Sequence, residues 1–93
     1  TLLNMATVNF KREKYNRAIS ILERILVIHP NHRNMLAHRL LLARSYVMKG
    51  DLGSGIKNVD MAIKLDSKSK QIIISDPVFK KLQDLQAFQN LMN

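Results

Sequence analysis

Apolar residues recur along this chain at spacings of three and four, the period of helices that bury one face. The clearest case runs from Lys14 to His32, KYNRAISILERILVIHPNH, where Ala18, Leu22 and Ile25 form one stripe and Ile21 and Ile28 thicken it. That width predicts a helix covered on more than one side. Pro30 lacks the amide proton that would continue the helix, so a turn begins at Pro30-Asn31. Upstream, Thr1 to Lys14 is apolar and periodic from its start with no evident cap, and it reads as a segment of a longer protein. Leu2, Met5, Ala6 and Asn9 make one helical stripe, and Leu3, Thr7 and Phe10 make a second. One stripe is expected to pack and the other to face a groove. Glu13 and Arg17 are spaced to pair if the helix runs through them.

Downstream, Asn31 or His32 is a candidate cap for a third helix from about Arg33 to Lys49, ended by Gly50. Met35, Leu36, Leu40, Leu41, Leu42, Tyr46, Val47 and Met48 make it almost continuously apolar, which predicts a central helix. Asp51-Leu52-Gly53 starts a fourth, with Ile56, Val59, Ala62 and Ile63 as its stripe and Asp60 to Lys64 as an i, i+4 pair. Ser67 to Lys70 is a polar connector, and the apolar run within Gln71 to Ile74 is expected to form a helical turn tucked onto the core. Ser75-Asp76-Pro77 supplies a helix start, with Asp76 also spaced to pair with Lys80. Val78, Phe79, Leu82, Leu85, Phe88 and Leu91 then predict one helix, or two short ones split near Asp84, lying as a lid with one apolar face.

Composition agrees with helix-on-helix packing. The 93 residues suit a single domain, and a hydrophobic content of 46% with two Tyr, three Phe and no Trp implies an aliphatic core. The absence of cysteine removes disulfides, thiolate metal sites and thiol nucleophiles. No apolar run approaches the roughly 18 residues that would span a bilayer. The reading is a soluble domain whose compartment the sequence leaves open. The net charge of +8 is uneven, since residues 1 to 49 hold nine Lys or Arg against two Glu, while residues 50 to 93 hold six against five Asp. The basic first half, with four cations in KREKYNR from Lys11 to Arg17, favours acidic partners: protein, nucleic acid or anionic membrane.

An internal repeat organises these elements. At an offset of 37 residues Ala6 meets Ala43, Phe10 meets Val47, Glu13 meets Gly50, Tyr15 meets Leu52, Ala18 meets Gly55 and Leu22 meets Val59. Small residues fall on small ones, which is what two closely approaching antiparallel helices need. On Ala6, Tyr15, Ala18 and Pro30 of the first unit, and Leu42, Ala43, Tyr46, Gly50, Ala62 and Lys64-Leu65-Asp66 of the second, the chain resembles a tetratricopeptide repeat (TPR) protein. It departs from that pattern at Glu13 and Ser67, where the family usually has glycine and proline, and it adds about three residues between units. The resemblance implies an all-α fold of antiparallel helix-turn-helix repeats stacked as a short right-handed solenoid. Its parts would be a first helix pair over 1–32, a second over 33–69 and a capping segment over 70–93 that resembles the family's closing helices.

The resemblance further implies a protein–protein interaction scaffold whose concave groove holds a peptide or helix of a partner. The groove would carry Leu3, Thr7, Phe10 and Lys11 from the first unit and Leu40, Arg44, Val47 and Met48 from the second. An apolar surface with isolated cations suits an acidic, amphipathic segment, and Arg44→Glu would then abolish binding without loss of helicity. The competing reading is that these side chains pack against a preceding repeat or the C-terminal lid, or serve self-association. Family members that clamp a chaperone's terminal carboxylate use lysine and asparagine at positions held here by Leu3, Thr7 and Leu41, so that partner is not expected.

Other chemistry fares less well. His29, His32 and His38 invite a metal reading, but Pro30 separates the first two and no cysteine joins them, so neither metal nor other cofactor is expected. The seven acids suggest no general acid and base couple, the six serines lack an activating motif, and Gly50 to Gly55 lacks the lysine of a phosphate loop, so no enzymatic activity is expected. Nucleic-acid binding through KREKYNR with Arg33, Arg39 and Arg44 is the main alternative, weakened by the lack of exposed aromatics for stacking.

Overall fold

Each helix boundary has a local cause. The computed structural model describes residues 1–30 and 34–93, and every regular element among them is helical: α1 Leu2–Lys11, α2 Tyr15–Ile28, α3 Met35–Lys49, α4 Leu52–Leu65, α5 Ser69–Ser75, a 3-10 helix Pro77–Leu82 and α6 Gln86–Met92. Thr1 does cap α1, contrary to the sequence reading, since its hydroxyl accepts from the Asn4 amide at 3.2 Å. The expected caps Asn31 and His32, and the expected start of α3 at Arg33, lie outside the described residues. Asp51 caps α4 by accepting from the Ser54 amide at 3.2 Å and the Ser54 hydroxyl at 2.8 Å, which holds its carboxyl below the usual range.

Two turns repeat one geometry. After α1, the Glu13 amide donates to Phe10 and the Lys14 amide to Asn9; after α3, the Gly50 amide donates to Val47 and the Asp51 amide to Tyr46. These bonds coincide under the 37-residue shift, which also carries Tyr15–Ile28 onto Leu52–Leu65. Gly50 meets the turn's left-handed requirement at φ 100°, and Glu13 meets it at φ 62° without the freedom of a glycine. That turn takes Glu13 out of the helix, so the expected pair with Arg17 is not among the ion pairs of the described residues. Asp60 and Lys64 do pair, at 3.2 Å.

α3 is central, as its composition predicts. One side, with Leu40, Ala43 and Val47, joins Val59, Ala62, Ile73, Phe79, Leu82 and Phe88. The other, with Leu41 and Leu42, joins Ala6, Ile19, Leu22 and Ile25. Each large aliphatic or aromatic residue so buried contributes about 1.5 to 3 kcal/mol. The close approach of α3 and α4 depends on Gly55, where a Cβ would lie 2.6 Å from Val47 Cγ2. α2 has neighbours on two sides, α1 and α3, yet Val27 and Ile28 at its end remain exposed.

The C-terminal third forms the lid. Ile73 of α5 is fully buried while Ile72 and Ile74 face outward, so the apolar run is a helical turn on the core. Asp76 caps the 3-10 helix through the Val78 amide at 2.9 Å, with Pro77 in its first turn. The tail divides after Leu82 into two short helices.

Candidate partner-binding site

The lid decides which of the predicted groove residues remain accessible. Leu40 and Val47 are only 5% and 1% exposed and lie in the core with Phe79 and Leu82. Arg44 is not open either, because its guanidinium pairs with the Asp76 carboxylate. Asp76 is thus taken from its expected partner Lys80. The second unit's share of the groove is therefore corrected to Met48, which is half-buried. The physical reason is that apolar side chains on α3 gain more from Phe79 and Leu82 of their own chain than from water.

On α1 the division into a packed and an open stripe is also corrected: Ala6 of the first stripe is fully buried as expected, but residues of the second stripe join it. Leu3 and Phe10 pack against the inner core, with the Phe10 ring edge-on to Tyr15 at 5.4 Å between centroids. Thr7 is half-buried and donates to the Leu3 carbonyl at 3.0 Å, and Lys11 is exposed. Leu2, Met5 and Val8 face outward instead.

What the fold does bring together lies where the two turns meet. A cleft of about 460 Å³ gathers Lys14, Tyr15 and Arg17 from the first unit with Met48 and Lys49 from the second, and Glu13 is the single acid in its lining. No side chain caps α2 and no acid stands in its first turn, so its amide dipoles add to the positive field. Lys49 was missed in the sequence, although the 37-residue shift places it on Arg12, the basic residue ahead of the first turn.

A second cleft, of about 410 Å³, lies between α2 and α4 over α3. Within it the Tyr46 hydroxyl donates to the Glu23 carboxylate, and this bond, aided by burial, pushes the phenol up to about 12. Arg39 donates to Asn58 Oδ1 at 3.1 Å, and Asn58 Nδ2 donates to the Ser54 carbonyl at 2.9 Å. These bonds tie α2, α3 and α4 together.

The two described histidines, His29 and His38, line one cleft beside Ile25 and Asn34. His38 is buried with Nδ1 at 2.6 Å from the Asn34 carbonyl, His29 ends α2, and His32 lies outside the described residues. Among the described residues no three His, Asp or Glu side chains are grouped to hold a metal ion, and no helix is long and apolar enough to cross a membrane. Leu41, at one of the three carboxylate-clamp positions, sits in the core. No family model, curated protein or solved structure matches the chain.

Proposed function

We propose that this chain is a non-enzymatic interaction module of the tetratricopeptide type: two antiparallel helix pairs stacked as a short right-handed solenoid and closed by a C-terminal capping segment. Its role is to hold an acidic segment of a partner protein with apolar anchors. Support for the architecture comes from the coincidence of helix bounds and turn bonds at an offset of 37 residues. The observation that carries the function is the cleft in which Lys14, Arg17 and Lys49 surround Tyr15 and Met48. Carboxylates on a peptide meet three cations there, and an apolar residue meets Met48, so charge supplies encounter and the apolar contact supplies residence. Lys11 and Arg12 extend the same field.

The test compares the wild type with Lys14→Glu/Lys49→Glu and Met48→Asp in capture from nuclease-treated lysate at low and moderate salt. A protein held by the wild type at moderate salt and lost with both variants is the expected result. Retention by both variants would remove the site. Capture that disappears with nuclease or salt and ignores Met48→Asp would identify a polyanion binder instead.

A further inference from the structure

The internal repeat reveals which wall of the fold is left without its counterpart. Under the 37-residue shift Met5 corresponds to Leu42, Val8 to Ser45, Asn9 to Tyr46 and Arg17 to Ser54. In the second unit α2 lies across this wall: Leu42 is 2% exposed and Ser45 0%. In the first unit the same positions are open, with Met5 52% and Val8 45% exposed. The open wall carries a cleft of about 410 Å³ lined by Met5, Asn9, Arg17 and Ile21. Their counterparts Leu42, Tyr46, Ser54 and Asn58 line the cleft whose other side is Glu23, Leu26 and Val27 of α2.

The molecule therefore displays once what such a wall accepts. It is a helix with a carboxylate that reaches the residue at the Tyr46 position and, three residues on, a large aliphatic side chain on the same face. In the first unit Asn9 stands at the Tyr46 position and Arg17 at that of Ser54, and Arg17 is exposed and outside the ion pairs of the described residues. A cation where the second unit has a hydroxyl strengthens the preference for an acidic helix.

We propose that the α1–α2 face centred on Met5 and Arg17 docks an amphipathic helix of a partner protein bearing an acidic residue followed three positions later by a large aliphatic one, as Glu23 and Leu26 stand in this chain. This face shares Asn16 and Arg17 with the turn cleft and is otherwise lined by different residues, so Met5→Glu here and Met48→Asp in the cleft tell the two assignments apart.

The probe is a labelled synthetic peptide with the sequence of α2, Tyr15–Ile28, titrated into the intact chain and followed by fluorescence anisotropy and amide chemical shifts. Saturable binding is expected, with shifts at Leu2 to Asn9 and Arg17 to Ile21. Met5→Glu should abolish it and Arg17→Glu should weaken it roughly tenfold; a Glu23→Lys peptide should recover the loss on the Arg17→Glu protein. Both protein substitutions are on exposed side chains, and circular dichroism checks that the fold survives. Absence of binding, binding indifferent to both substitutions, or shifts confined to Met48 and Lys49 would overturn the proposal. So would concentration-dependent sedimentation of the chain alone that Met5→Glu abolishes, because the occupant would then be a second copy.

Discussion

Glu13 is the only non-glycine residue at positive φ among the described residues, at 62°, in a turn whose counterpart uses Gly50. An L-residue held there costs about 1 to 2 kcal/mol through its Cβ, offset in part by the greater unfolded-state freedom of glycine. Glu13→Gly should accordingly raise stability by about 0.5 to 1 kcal/mol, read as a higher urea midpoint at unchanged slope. Tyr46 makes a different prediction. Its phenol is raised from 10.0 to about 12, mainly by its hydrogen bond to Glu23, so folding favours the protonated form. A raised folded pKa contributes stability that is complete below the unfolded value of 10.0 and is lost as pH climbs through about 12. Between those limits the wild type should lose stability faster than Tyr46→Phe, and Glu23→Gln should bring the phenol's ultraviolet titration back toward its ordinary range.

At the scale of helices, α2 and α4 begin alike but are capped differently. Lys14 has φ −94° and ψ 67°, Asp51 has φ −88° and ψ 79°, and only Asp51 accepts a bond from the third amide of its helix. Lys14→Asp should let the side chain reach the Arg17 amide and add about 1 kcal/mol, measured by thermal unfolding. The same change removes a cation from the turn cleft, so tighter folding should accompany weaker partner binding. Helix positions were legible in the sequence because Pro30, Gly50 and Asp76-Pro77 punctuate a strong apolar period, and the central place of α3 followed from its unbroken run of leucines. The accessible site was less legible. Leu40 and Val47 look the same whether a partner or the chain's own Phe79 covers them, and periodicity does not distinguish the two. Leu3 and Phe10, assigned to the groove, pack instead, since Leu3 and Leu2 differ in burial only through where α2 and α3 lie. The pairing of Arg44 with Asp76 spans 32 residues and depends on the lid's placement, which no local spacing encodes.

For the molecule as a whole, the lid determines whether the fold is one cooperative unit. Phe79 and Leu82 complete the cluster that includes Leu40, Val47, Val59 and Ile73, so removing the lid would expose the outer half of α3. Phe79→Ala should cost about 3 to 5 kcal/mol, a large share of the roughly 5 to 15 kcal/mol available to a domain of this size. Arg44→Ala should cost less, about 1 kcal/mol, because its side chain is 29% exposed and solvent screens the pair. Arg44→Glu places a carboxylate beside Asp76 and strains the lid, so this variant reports on the fold before it reports on any partner. Urea unfolding of Phe79→Ala, followed by circular dichroism and by binding of a dye to exposed apolar surface, tests the idea. One coincident transition with an unchanged slope is expected, because Ile73 and Phe88 anchor the lid on both sides of Phe79 within the same buried cluster. A separate dye-binding step at lower urea, with helicity largely retained, would show that the lid detaches by itself and that α3 can present Leu40 and Val47 to a partner after all.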